Sequence, residues 1–214
     1  LAIDPAGRGK DETGYAVVKM INGFLYVRRC GGFQGGYDNE TLTKLAEMAK
    51  EEKVNAIITE ANFGDGMFTQ LMKPILNKVH PCMVEEVKHS TQKERRIIDT
   101  IEPVMARHKL IVDSSVIEDD YKTAQRYDAE NKYTKTLVYQ LTRVTYDRGA
   151  LKHDDRLDAL AIAVNYWTEQ MAQDEVRGMA DVRQQKLDDE LEKFMRAAVG
   201  GHKKTGSNWM NTYR

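Results

Sequence analysis

Four carboxylates stand at the ends of apolar runs, and this placement constrains the chain more than any other feature. Asp4 closes Leu1-Ala2-Ile3, and Glu60 closes Val54-Asn55-Ala56-Ile57-Ile58-Thr59. Asp155 and Asp158 open the helical run Leu157 to Val164. Runs of that character are bound for a core, and carboxylates enter a core only when a cation or metal compensates them. Two acids at strand ends and a group at the start of a late helix therefore predict a divalent-metal site.

The alternation of elements sets the fold class. Leu1 to Asp4 reads as a strand, and Pro5 to Thr13 as a loop rich in glycine and charge. Gly14–Met20 and Phe24–Cys30 are β-rich runs joined by Asn22-Gly23, a strong hairpin signal. After a glycine-rich loop from Gly31 to Gly36, leucine and alanine at helical spacing (Leu42, Leu45, Ala46, Ala49) predict a helix capped by Asp38 or Asn39. Strands over Val54–Thr59 and Cys82–Val87 then alternate with helices over Met67–Val79 and Thr91–His108.

The class is α/β: a mixed sheet of three antiparallel strands followed by parallel ones, flanked by helices. Leu110–Asp113 fits a short strand and Ser114–Asp128 a helix. Tyr133–Tyr146 fits either a hairpin arm or a helix, and Tyr127–Thr136 a hairpin or a surface connection. Asp154 to about Gln170 has a clear helical period through Leu157, Leu160, Ala161, Val164 and Trp167. The expected division is a domain over residues 1–170 and a charged helical extension with a flexible basic tail over 171–214.

The chain has 214 residues, 41% hydrophobic and 30% charged, and a net charge of −1. That balance gives no global signal for nucleic acid, so a DNA surface has to be a local patch. Cys30 and Cys82 lack metal spacing and read as buried thiols of a reducing compartment. No stretch reads as a membrane span. The start, directly in a strand, reads as a cut from a longer protein.

The acids also fix the chemistry. Asp155 and Asp158 lie one helical turn apart and face the same way. Carboxylates crowded within a few Å repel unless a cation sits among them. Oxygen-only donors favour Mg²⁺ or Mn²⁺, and two such ions ~4 Å apart would clamp an in-line phosphoryl displacement. Taken singly, Asp4 before Pro5 also fits a turn, and Asp154 and Asp155 also fit a helix cap and first-turn acid. Asp11 fits a turn residue that supports Asp4.

Three motifs carry a resemblance: DPAGRGKD at Asp4, ITEANFGDG around Glu60, and KHDDRLDALA at Asp155. The first resembles the opening strand of ribonuclease-H-like nucleases, and the third resembles the last catalytic helix of RuvC-type resolvases. Together they are similar to the nuclease domain of the large terminase subunit of tailed DNA phages, podovirus type. The resemblance covers Leu1 to about Trp167.

It implies a metal-dependent endonuclease that cuts concatemeric viral DNA during packaging, with two Mg²⁺ or Mn²⁺ ions. Asp4, Glu60 and Asp155 are the implied catalytic core, with Asp154 and Asp158 as nearby acids. The resolvase likeness favours Asp155 with Asp158, the terminase likeness the adjacent pair. The implied partners are double-stranded DNA, the portal or procapsid, the small terminase subunit and an ATPase domain of the same polypeptide, in the host cytoplasm. No GxxxxGK[ST] pattern occurs, so this stretch is not expected to hydrolyse ATP. A stand-alone resolvase of branched DNA and a non-catalytic assembly module are the competing readings.

The basic stretch Lys88 to Arg96 follows a strand and opens a helix, which suits phosphate. Lys88, Lys93, Arg95 and Arg96, joined by Arg8 and Lys10, are the expected backbone contacts. The tail from Leu191, with Trp209, Met210 and Tyr213 among basic residues, fits either a segment that folds on the portal or procapsid or an inert end.

Overall fold

A computed structural model describes residues 1–6, 12–61 and 66–200. The strands are β1 (Ala2–Asp4), β2 (Glu12–Ile21), β3 (Phe24–Gln34), β4 (Ala56–Glu60), β5 (Met83–Val87) and β6 (Leu110–Val112). The helices are α1 (Asn39–Glu51), α2 (Met67–Val79), α3 (Lys93–Ala106), α4 (Ser114–Ala124), α5 (Leu137–Arg143) and α6 (Asp155–Gly200). The chain divides into two compact units, Leu1–Glu169 and Gln170–Arg214.

The six strands form one sheet in the order β5-β4-β1-β2-β3-β6. β1, β2 and β3 pair antiparallel, while β4 runs parallel to β1, β5 to β4, and β6 to β3. This is the mixed ribonuclease-H-like sheet expected from the sequence. Asn22 and Gly23 both take positive φ, 52° and 77°, so the β2–β3 turn has the twist that a tight hairpin needs. The Asp38 carboxylate caps α1 by accepting from the Thr41 N–H at 2.7 Å. Leu42, Leu45, Ala46 and Ala49 pack with Ile3, Tyr15, Val17 and Ile57 of the sheet and with Phe68, Met72 and Leu76 of α2. The apolar face of α6 from Leu157 to Val164 is buried as well.

Several boundaries differ from expectation. β3 runs through Gly31-Gly32 to Gln34, where the sequence reads as a glycine loop. A Cβ at Gly32 would enter the Glu12 carboxylate, so glycine here is a packing requirement inside a strand. β2 begins at Glu12, two residues before the expected start. Residues 127–136 form turns, and Leu137–Arg143 is a helix, so no hairpin lies there. α4 stops at Ala124. Cys30 is buried and Cys82 half-buried, both free. No helix among the described residues is long and apolar enough to cross a membrane. In the second unit, Val176, Leu187, Leu191 and Phe194 of α6 are exposed.

Candidate metal centre

The sheet order brings the first two acids together. Ala2 pairs with Ile58 and Ile3 with Thr59, so Asp4 and Glu60 leave neighbouring parallel strands at the same level. On the other side Asp4 pairs with Gly14 of β2. The missing side chain at Gly14 is filled by the backbone of Asp155, which a Cβ would strike. The first turn of α6 can therefore lie across the strand beside Asp4, and Asp158, one turn further on, reaches the acids.

Asp4, Glu60 and Asp158 each offer a carboxylate oxygen, and these oxygens lie within 4.8 Å of one another. All three residues are buried, Asp158 completely. Two cations from α3 enter the cluster. The Lys93 ammonium is 2.9 Å from Asp158, 3.0 Å from Asp154 and 3.6 Å from Asp4. The Arg96 guanidinium is 2.7 Å from Asp158 and 3.7 Å from Glu60. Only the Lys93–Asp154 contact is aligned as a hydrogen bond. The two Asp158 oxygens meet Arg96 and Lys93 as close ion pairs, and Glu60 Oε2 is buried without a hydrogen-bond partner among the described residues.

Four carboxylates thus face two cations, leaving a deficit of two positive charges when all are ionised. Burial pushes the Asp4 carboxyl well above the ordinary range. Lys93 pulls it back, and the charges of Asp158, Glu60 and Asp155 raise it again. Burial alone would depress the Lys93 ammonium, but Asp158, Asp4 and Asp154 outweigh it and hold it above its usual value. His89, beside the cluster, is depressed by burial and by the Arg96 charge. A buried all-oxygen donor set with a deficit of two charges fits a hard divalent cation.

Asp155 stands apart from this trio. Its Oδ2 is 3.8 Å from the Lys135 ammonium, and neither atom has a hydrogen-bond partner among the described residues. Burial drives its carboxyl up to about 7; Lys135 lowers it, while Glu12 and Asp154 raise it. Of the expected acids, Asp4, Glu60 and Asp158 bring their oxygens together, while Asp155 faces Lys135 of the 127–136 turns. Asp154 is tied to the cluster through Lys93.

Of the four cations expected to hold the DNA backbone near the metals, Lys93 and Arg96 pair with the acids, and Lys88 and Arg95 lie at the surface. Arg8, Lys10, Asp11, residues 62–65 of the second motif, and the tail with Trp209, Met210 and Tyr213 lie outside the described residues.

Three residues near the site escape a reading of the sequence. Glu12 and Arg156 are fully buried and paired, Arg156 Nε donating to Glu12 Oε1 at 2.7 Å. Lys135 is buried in a polar stretch without periodicity. Arg156 alone carries a signal, a lone cation between Asp155 and a helix that goes straight into the core.

The family profile described as Terminase Bacteriophage T7, Ribonuclease H-like domain matches residues 3–110, just over half of the 214. The large terminase subunit of Enterobacteria phage T3 is 44% identical over 202 residues, covering 94% of this chain and 34% of that protein. The chain thus spans about a third of that relative's length. The nuclease domain of human cytomegalovirus terminase, Mn soaked and inhibitor bound, superposes with a TM-score of 0.53 at 13% identity. That match covers 77% of this chain and 80% of the other.

Proposed function

The chain belongs to the T7-type terminase family of ribonuclease-H-like domains, and on that premise we propose that it is a divalent-metal-dependent DNA endonuclease that cuts concatemeric viral DNA during packaging. The observation that carries this reading is the convergence of three buried carboxylates, Asp4, Glu60 and Asp158, from three elements. No serine, cysteine or histidine nucleophile is called for.

Asp4, Glu60 and Asp158 would hold Mg²⁺ or Mn²⁺, with Asp155 at the flank of the site. A divalent ion held there would supply polarisation of the scissile phosphoryl group and a nucleophilic water near neutral pH. The protein's share is positional. β1 and β4 fix two carboxylates at strand ends, and α6 sets the third against them. Lys93 and Arg96 screen the mutual repulsion of these acids while the metal is absent. Lys135 holds its buried ammonium beside Asp155 and offsets the charge of that carboxylate at the flank of the site. Lys88 and Arg95 hold the DNA backbone outside the cluster. Such contacts carry no sequence information, so cutting shows weak sequence preference.

In the longer protein an ATPase domain drives packaging, and the portal or procapsid and the small subunit are partners. The test is plasmid nicking with Mg²⁺ or Mn²⁺ by the wild type and by Asp4→Asn, Glu60→Gln and Asp158→Asn. Each substitution is expected to lower cleavage by at least ~100-fold, about 2.7 kcal/mol of transition-state stabilisation. Four proteins that cut alike would overturn the reading.

A further inference from the structure

Behind Asp155 the interactions close into a ring that metal binding does not explain. Arg156 is fully buried between Glu12 and Asp120, with Nη1 2.6 Å from Asp120 Oδ1 and 3.0 Å from Thr123 Oγ1. Nε and Nη2 both donate to Glu12, at 2.7 and 3.2 Å. The Tyr127 hydroxyl donates to Glu12 Oε2 at 2.5 Å. The face of the same tyrosine lies 4.9 Å under the Lys135 ammonium. Lys135 in turn faces Asp155, the neighbour of Arg156.

We propose that Tyr127 is a positioning residue of the nuclease site, its ring holding the Lys135 ammonium against Asp155 while Glu12 and Arg156 fix the ring. This rests on the reading of the chain as a nuclease. Lys135 needs such a seat because its Nζ has no hydrogen-bond partner among the described residues. A buried ammonium without one is costly, and the aromatic face beneath it attracts the cation through the ring quadrupole. Hydrogen bonds alone would not select tyrosine, since the Glu12 carboxylate is already bridged by Arg156. The ring is the part that has no substitute.

The expected signature follows from that division. Tyr127→Phe keeps the face and gives up the bond to Glu12, and it retains most of the turnover. Tyr127→Leu gives up the face and loses kcat by roughly tenfold, with KM for plasmid DNA little changed. Tyr127→Leu combined with Lys135→Ala is no worse than Lys135→Ala alone, because both remove one interaction.

A second readout needs no cleavage. In the wild type and in Tyr127→Phe, the side-chain NMR signals of Lys135 sit upfield of those of the other lysines, shifted by the ring current. In Tyr127→Leu they return to the common position. Additive losses in the double variant, or Lys135 signals unshifted in the wild type, would overturn the proposal. If the wild type does not cut but Lys135 is shifted, the nuclease reading fails and the seating of Lys135 stands.

Discussion

Gly14 and the main chain of Asp155 are in direct contact: the place of a Gly14 Cβ is taken by the Asp155 carbonyl. Asp4 is the strand partner of Gly14. One absent side chain therefore sets how near α6 comes to β1, and with it whether Asp158 reaches Asp4 and Glu60.

Gly14→Ala is expected to push the first turn of α6 off the sheet. Overpacking of this kind costs about 1–3 kcal/mol. The variant should unfold at lower urea concentration and lose most cleavage even where it remains folded. Urea denaturation and nicking, measured on the same preparation, check both parts.

Lys93 belongs to the acid cluster, and its substitution separates two kinds of cation. Lys93→Met should leave the salt dependence of DNA binding unchanged, while Lys88→Ala or Arg95→Ala should make the slope shallower by roughly one. Binding measured by fluorescence anisotropy from low to moderate salt checks this. A flattened slope in Lys93→Met would return that residue to the DNA surface.

The pH dependence has a definite sign. The folded Asp155 carboxyl titrates at about 7 against an ordinary value of 3.8, and Asp4 is raised in the same direction. The folded state keeps protons that the unfolded chain has released. The contribution of these two carboxyls to the stability of the metal-free protein is therefore full below about pH 4 and declines as pH rises toward 7. For a single carboxyl the decline is at most about 1.4 kcal/mol for each tenfold difference in proton affinity between the folded and unfolded chains. Mg²⁺ should remove most of the decline by taking the protons' place. Denaturation at pH 5 and pH 8, with EDTA or with Mg²⁺, checks the direction.

Arg156→Met should be among the most destabilising substitutions in the chain. It strands Glu12 and Asp120 in the interior, where removing one partner of a buried ion pair costs about 3–5 kcal/mol. Thermal unfolding measures it.

Much of the sheet is legible in the sequence because its signals are local. Asn22-Gly23 fixes a hairpin, and apolar runs ending in Asp4 and Glu60 mark two strands and two acids at once. The helix acids are legible as a group but not as individuals. Asp155 and Asp158 share a helix face, and their assignment depends on how α6 is rotated over Gly14, a contact between residues far apart in the chain. The role of Lys93 is hidden for the same reason: a basic residue at a helix start looks solvated until tertiary packing brings the acids to it. Glu12, Arg156 and Lys135 meet only in three dimensions, and no periodicity announces such a pairing.

Crystals soaked in Mn²⁺, with anomalous scattering recorded at the manganese edge, would locate the ion itself. The account predicts a peak within ~2.0–2.4 Å of oxygens from Asp4, Glu60 and Asp158, lost in crystals of Asp158→Asn and kept in Asp155→Asn. Manganese bound at Asp154 and Asp155 with Asp158 uninvolved, or no manganese at the three acids, would contradict it.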